Sequence, residues 1–264
     1  MELKAPSKVN FHLAVGPRRA DGYHPIMSVF QTCSLCDTLD VSLAPGPFHV
    51  DVTGLEGLCE KGKSTLDKAA MLWHEVYGLE GKLTVRVTKN IPSQAGLGGG
   101  SSDAASLILW LNGKTGRNLP KEELMAFGAR IGCDVPFFVS QCRAAIVSGV
   151  GEIVRPIEAR TDLEGFIIIP KSEKVSTAEA YRALDSRETI PELESAEELE
   201  REYRRPFTQW TFRNDFDLVN SLPEIEVPEG ERLLLTGSGS CRVLLTERKK
   251  LTASPLYESV QVSF

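Results

Sequence analysis

The segment Gly96-Leu97-Gly98-Gly99-Gly100-Ser101-Ser102 sets four glycines in five positions and follows them with two hydroxyls. Without a Cβ, such a stretch lets backbone amides approach a ligand closely and takes positive φ without strain. The apolar run Ala104 to Leu111 beyond it reads as a helix, whose first N–H groups lack partners and whose dipole is positive at that end. Together they describe a cradle for a di- or triphosphate, with the serine hydroxyls available to phosphate or to Mg²⁺. A flexible hairpin or a tight helix start is the ordinary alternative, but the apolar residues on both sides argue against a floppy linker. Two familiar phosphate loops are excluded. GxxxxGK[ST] fails because no lysine follows the glycines, and GxGxxG fails because Ser101 stands in place of the third glycine.

Four other places carry chemistry. Asp134 lies in Gly132-Cys133-Asp134-Val135-Pro136-Phe137-Phe138, between a helix end and an apolar run, where a carboxylate needs a cationic partner to stay ionised. Taken alone, such an aspartate is more often a cap or turn residue. Lys8, in the strand-like Ser7-Lys8-Val9-Asn10, is the cation at hand, although by itself it reads as an exposed strand lysine. Tyr23-His24, after the turn Asp21-Gly22, pairs two rings able to stack on a flat base, or else a solvent-exposed turn histidine. Thr236-Gly237-Ser238-Gly239-Ser240 reads as a hairpin turn or as a second place where backbone meets a phosphate or substrate.

The elements that must position these groups follow from periodicity. Val9 to Val15, Val29 to Leu35 and Leu39 to Leu43 are strand-like runs separated by turn residues. Ser64 to Tyr77 has a helical apolar face, Leu66, Ala69, Ala70, Leu72, Trp73 and Val76, with Ser64 as its cap. A strand at Leu83 to Val87 leads into the glycine segment, the next helix is expected to stop at Asn112-Gly113, and Pro120 with Glu122-Glu123 announces a helix over Lys121 to Ile131. Beyond the hairpin Ala144 to Val154, composition shifts over 156 to 165, a domain boundary. A strand at Phe166 to Ile169 and a helix from Thr177 to Leu184 follow, and Asp185 to Arg205 reads as a solvated, charge-dense helix or loop. Strands are expected at Arg232 to Thr236, Cys241 to Thr246 and Ser259 to Phe264. Strands and helices without strict alternation point to an α+β fold.

The whole composition fits an ordinary globular enzyme: 264 residues, 42% hydrophobic, 25% charged. A formal charge of −6 disfavours nucleic acid as a partner, since phosphate-backbone binding needs clustered Lys and Arg. No apolar run is long enough to cross a membrane. The opening Met-Glu-Leu-Lys-Ala-Pro lacks a signal-peptide profile, so the expected compartment is cytoplasmic. Six scattered cysteines are expected to be reduced, and the lone CxxC, Cys33 to Cys36, has no second pair or nearby histidine to complete a metal site.

Taken together, these segments resemble a known family. Pro92-Ser-Gln-Ala-Gly-Leu-Gly-Gly-Gly-Ser-Ser-Asp-Ala-Ala105 is similar to the central motif of the GHMP kinases, named for galactokinase, homoserine kinase, mevalonate kinase and phosphomevalonate kinase. Ala5-Pro-Ser-Lys-Val-Asn10 and Thr236-Gly-Ser-Gly-Ser240 resemble that family's first and third motifs, in the right order. Arg19-Ala-Asp-Gly-Tyr-His24, Gly132-Cys-Asp-Val-Pro-Phe137, Gly149-Val-Gly-Glu152, Val175-Ser-Thr-Ala-Glu-Ala-Tyr181 and Asn214-Asp-Phe216 match the branch whose acceptor is 4-diphosphocytidyl-2-C-methyl-D-erythritol.

The resemblance implies a two-domain α+β fold with a deep cleft. Residues 1–157 would form an ATP-binding domain like domain 2 of ribosomal protein S5, and residues 158–264 a ferredoxin-like domain. It implies ATP and Mg²⁺, with the nucleotide on Pro92, Gly96, Leu97, Gly98, Gly99, Gly100, Ser101 and Ser102, and no metal site built from protein ligands alone. Lys8 and Asp134 would flank the acceptor's 2-hydroxyl. Asn10, Val150, Thr236 and Gly237 would position the acceptor, and Tyr23, His24 and Tyr181 would hold its cytidine end. It further implies a small-molecule substrate, no nucleic-acid or membrane partner, and a monomer or weak homodimer. Two positions depart from the pattern: Ser64-Thr65-Leu66 stands where relatives often have Asn-Leu near the adenine, and Arg242-Val243 replaces the usual aromatic after the third motif. A homoserine- or mevalonate-type kinase and a noncatalytic binding protein are the competing readings.

Overall fold

Alternating apolar residues near the amino terminus build two long strands in the computed structural model, which describes residues 1–171, 176–187, 189–220, 222 and 225–264. β1 spans Glu2–Val15 and β2 spans Ile26–Ala44. The expected break between Val29–Leu35 and Leu39–Leu43 does not occur. Asp37, the charged residue in that gap, is fully buried rather than turned to solvent. Its Oδ1 accepts the N–H groups of Asn90 (2.6 Å) and Ile91 (2.9 Å), and Lys89 closes an ion pair with it. A satisfied carboxylate lets the strand run on.

The chain divides into two compact units, each assembled from separate pieces. One comprises 1–7, 35–93 and 98–142, the other 8–34, 94–97 and 143–264. In the first unit β3 (His49–Thr53) runs parallel to β4 (Lys82–Thr88), and β4 pairs antiparallel with Thr38 to Ala44 of β2. Four helices complete the unit: α1 (Thr65–Tyr77), α2 (Gly99–Lys114), α3 (Lys121–Ala129) and α4 (Val135–Val139). α1 buries Leu66, Ala69, Ala70 and Trp73, four of the six residues on its expected face, and Trp73 packs its ring against Phe127 at 5.3 Å. Ser64 caps α1 as expected, through a reciprocal box with Asp67.

α2 runs past the expected stop at Asn112-Gly113. Asn112 instead works outward, its Oδ1 accepting the Leu119 N–H at 2.8 Å, and the left-handed residue that turns the chain is Gly116 (φ 67°).

In the second unit β5 (Ala144–Gly149) pairs antiparallel with Ile26 to Gln31 of β2 and with β6 (Ile153–Ile157). A separate antiparallel sheet has β7 (Glu164–Pro170), β8 (Arg232–Leu235), β9 (Arg242–Leu245) and β10 (Tyr257–Ser263) in the order β10-β7-β9-β8. Helices α5 (Thr177–Asp185) and α6 (Ala196–Tyr203) belong to this unit. Its aromatic core centres on Phe11, whose ring lies 5.0 Å from Trp210 and 5.4 Å from Phe264.

The charge-dense stretch 185–205, of which Glu188 lies outside the described residues, is solvated on one side only. α6 turns Leu199 and Tyr203 inward, and the Tyr203 hydroxyl bonds Gln31 and accepts the Arg160 N–H at 2.9 Å. Two apolar residues one turn apart were too sparse to register as an amphipathic face. No helix among the described residues is long and apolar enough to cross a membrane.

The Ser64 box yields a direct expectation. Ser64→Ala removes the hydroxyl that accepts the Asp67 N–H at the start of α1, while the backbone N–H of residue 64 keeps its bond to Asp67, and should cost about 1 kcal/mol, lowering the thermal midpoint by about 2–4 °C. A calorimetric scan of the variant checks this, and an unchanged midpoint would show that the box carries no stability.

Candidate functional site

Lys8 and Asn10 stand two residues apart on β1, so strand geometry points their side chains to the same face. Lys8 Nζ donates to Asn10 Oδ1 at 2.6 Å and lies 4.5 Å from the centre of the Phe30 ring. At 3% exposure Lys8 is no surface lysine, and the ordinary reading of it is excluded. Asn10 is spent entirely on organising its surroundings. Its Nδ2 donates to Ser28 Oγ at 2.9 Å, its Oδ1 also accepts the Gly237 N–H at 2.9 Å, and its own N–H donates to Thr236 Oγ1 at 3.0 Å.

The turn reached by Asn10 in turn meets the first half of the glycine segment. Thr236 Oγ1 lies 3.2 Å from the Gly96 carbonyl, and the Lys8 N–H donates to Leu97 O at 3.0 Å. Gly96 (φ 77°) could not carry a Cβ, which would sit 2.0 Å from Thr236 O; a Cβ on Gly237 (φ 57°) would sit 2.6 Å from Gly96 Cα. These two glycines are therefore demanded by the approach of one backbone to the other. Thr236-Gly237 does close the β8–β9 hairpin, with Thr236 N–H on Cys241 O, but it is more than a plain turn. Three stretches far apart in the chain, around residues 8–10, 96–97 and 236–237, converge inside one unit.

The second half of the glycine segment belongs to the other unit and starts α2. Gly98 (φ 70°) is the N-cap and offers no side-chain cap, and no acidic residue occupies the first turn. The first intrahelical bond is from Ser102 N to Gly98 O, 2.9 Å, so the N–H groups of Gly99, Gly100 and Ser101 find no acceptor within the helix. The Ser102 hydroxyl is fully buried and has no hydrogen-bond partner. A helix end with free donors, no competing acid and an orphaned hydroxyl has the chemistry of an anion site. Thr65 Oγ1 bonds the Gly100 carbonyl at 2.6 Å, which ties the start of α1 to this segment. Pro92 lies in the bend that leads from β4 toward the glycines.

Beneath α2 sits a charge cluster that sequence reasoning missed. Lys89 Nζ pairs with Asp37 and, at 3.0 Å, with Asp103 Oδ2 in the second turn of α2. Burial pushes the Asp103 carboxyl up to about 7, Lys89 opposing and Asp37 adding to the shift. Burial also works against the Lys89 charge, yet the two carboxylates hold its pKa above the ordinary lysine value. The signal was present in Asp103, adjacent to Ser102, but its partners are 14 and 66 residues upstream.

Asp134 occupies the N-cap position of α4 in helical backbone geometry (φ −83°, ψ −12°) and makes no side-chain cap bond. Its ordinary reading as a cap is thus not what the carboxylate does. The apolar run after it, Val135 to Val139, is the buried short helix α4 itself.

The expected aromatic pair is rearranged. Tyr23 is 58% exposed, whereas His24 is buried, its Nδ1 donating to Gly16 O at 3.0 Å and its Nε2 standing 3.2 Å from Asp185 Oδ1. The ring facing His24 is that of Tyr181, at 5.1 Å and 32°, supplied by α5. With one ring exposed and the other buried, Tyr23 and His24 do not share a face. The Val150 N–H is committed to Glu152 Oε2 at 2.6 Å in the turn between β5 and β6. Val175, at the start of the segment leading to Tyr181, lies outside the described residues.

The chain is similar to known proteins both in sequence and in fold. Residues 64–141 match the family described as GHMP kinases N terminal domain. A 4-diphosphocytidyl-2-C-methyl-D-erythritol kinase of Geobacter metallireducens is 40% identical over 184 residues, covering 70% of this chain and 65% of the relative, so the match spans just under two thirds of that protein's length. A kinase of the same name from Treponema pallidum is 35% identical over 231 residues, covering 82% of this chain and 77% of the relative. A crystal structure of 4-(cytidine 5'-diphospho)-2C-methyl-D-erythritol kinase superposes with a TM-score of 0.72 at 29% identity, covering 100% of both chains.

Two expectations follow from the geometry. Because the folded-state pKa of Asp103 is raised above its unfolded value near 3.8, its contribution to stability is fully present below about pH 4 and is lost as pH rises through about 7. Asp103→Asn should therefore gain stability relative to the parent protein between those two pH values; thermal midpoints that shift in parallel at every pH would contradict this. Gly96→Ala, with its Cβ driven into the Thr236 carbonyl, should destabilise the protein by about 2 kcal/mol or more, read from urea unfolding.

Proposed function

Since this chain belongs to the GHMP kinase family, in the branch of the 4-diphosphocytidyl-2-C-methyl-D-erythritol kinases, we propose that it phosphorylates the 2-hydroxyl of 4-diphosphocytidyl-2-C-methyl-D-erythritol with ATP, releasing ADP, in the non-mevalonate route to isopentenyl diphosphate. The observation that carries this reading is the amino end of α2, where unpaired backbone N–H groups, the absence of a first-turn acid and the orphaned Ser102 hydroxyl fit a polyphosphate. Gly98 to Ser102 receive the phosphates, and Pro92, Gly96 and Leu97 shape the approach to them.

Phosphoryl transfer through a loose transition state asks mainly for alignment and for neutralisation of spreading charge. In this reading Asp134 accepts or orients the proton of the attacking hydroxyl, consistent with a carboxylate not used to cap its helix. Lys8 offsets charge on the reacting oxygens. Asn10, Thr236 and Gly237 serve by holding the Lys8 amine in one position. The Ser102 hydroxyl, buried and without a protein partner, is suited to contact a Mg²⁺ ion brought with the nucleotide, which would supply further charge neutralisation. The buried ring of His24 and the half-buried ring of Tyr181, with Tyr23 exposed nearby in sequence, favour a flat pyrimidine on the acceptor over an aliphatic alcohol alone.

A coupled ADP-release assay tests the reading. Turnover is expected with 4-diphosphocytidyl-2-C-methyl-D-erythritol and not with homoserine, mevalonate or galactose; the reverse preference would overturn the substrate. Asp134→Asn should lower kcat by about 10²- to 10⁴-fold while leaving ATP binding measurable by titration calorimetry. Turnover near the parent rate would remove Asp134 from the mechanism.

A further inference from the structure

Three consecutive buried residues, Asn214, Asp215 and Phe216, introduce a short 3-10 turn over 215–218, and each holds a different piece of the second unit. Asn214 fixes its own amide by accepting the Phe216 N–H on Oδ1 (3.0 Å). Both protons of its Nδ2 then go to the β8 hairpin, one to Leu235 O (3.0 Å) and one to Gly237 O (2.9 Å). Thr236, between those two carbonyls, is the residue that meets Asn10 and Gly96.

Asp215 works in the opposite direction. Its Oδ2 accepts the Val15 N–H at 2.9 Å and Arg187 Nη1 at 3.2 Å, while Arg187 Nη2 donates to Val15 O at 3.1 Å. Arg213 pairs with the other carboxylate oxygen. This closed ring of bonds joins the end of β1 to the residue that lies two positions beyond α5, and Arg187 Nε also bonds Leu184 O at 3.1 Å. The carboxyl end of α5 is thereby pinned next to Gly16, whose carbonyl holds His24. Phe216 completes the set by presenting itself edge-on to Tyr181, with centroids 4.9 Å apart at 86°.

We propose that Asn214-Asp215-Phe216 is a positioning segment for acceptor recognition: through Phe216 on Tyr181, and through Asp215 on Arg187 and Val15, it sets the seat that Tyr181 and His24 offer to the pyrimidine. None of the three is a catalytic residue, because each acts through another side chain or backbone group. Side-chain freedom at Tyr181 is removed before the ligand arrives, so the ordering cost of binding falls on the folded protein rather than on the complex. The inference rests on the assignment of His24 and Tyr181 to the cytidine end of the acceptor.

Phe216→Leu keeps an apolar side chain and removes the edge that faces Tyr181. It should raise KM for 4-diphosphocytidyl-2-C-methyl-D-erythritol about fivefold to tenfold, with kcat and KM for ATP within about twofold of the parent. Arg187→Gln, which breaks the Asp215 ring from the other side, should act in the same direction and serves if Phe216→Leu folds poorly. A second readout needs no substrate. In the free protein the imidazole C–H resonances of His24 lie in the ring current of Tyr181, and Phe216→Leu should move them as Tyr181→Leu does. Unchanged resonances and an unchanged acceptor KM in a folded variant would overturn the proposal, as would equal losses in kcat and both KM values that merely track a lower melting temperature. Failure of the parent protein to use the cytidine-linked acceptor would instead sink the substrate assignment, and the imidazole resonances would still decide whether the segment seats Tyr181.

Discussion

The hydrogen bond from Lys8 to Asn10 is the contact on which the rest of the second unit's site is organised. A buried ammonium is costly unless its position brings it to acceptors, and Asn10 supplies one from the same strand face. The same carboxamide oxygen takes the Gly237 N–H, so locating the amine and locating the 236–237 turn are one event. That turn then lies so close to Gly96 that neither position tolerates a Cβ. Buried polar networks of this kind gain from each satisfied member, and Ser28 Oγ accepts from the Asn10 amide on the same network.

The other unit solves a different electrostatic problem. An anion site at the start of a helix works only if no acid of the protein competes for the same N–H groups. Here the nearest acidic side chain, Asp103, lies one turn in, is buried, and is turned to Lys89. Asp37 anchors that lysine from β2 while tying down the bend after β4. The positive end of α2 is kept available by a carboxylate cluster that faces away from it.

Recognition of the acceptor, in the reading adopted here, is assembled by a third set of contacts. His24 is oriented by a backbone carbonyl on one nitrogen and by Asp185 on the other, and its aromatic neighbour arrives on α5. The segment at 214–216 links this ring pair to the same hairpin that contacts Asn10, so base recognition and amine placement share a support. Packed, hydrogen-bonded supports of this kind hold functional groups more narrowly than loops do.

By itself the amino-acid sequence determined most of the elements and much of the chemistry. Strand-like apolar runs located β1, β5 and β7, period-2 alternation located β4, the Ser64 cap located α1, and the glycine run announced the uncapped start of α2, because these are local properties of spacing and backbone freedom. The motifs at Lys8, Gly96 and Thr236 were also legible, though the reason for glycine at 96 was not. Only the tertiary structure decided that this glycine faces the backbone of Thr236, that Asp37 continues a strand, that Lys89 joins Asp37 to Asp103, and that the ring of Tyr181 stands beside His24. Each of those facts is a contact between residues distant in the chain, where burial and the need to satisfy a polar group override what local pattern suggests.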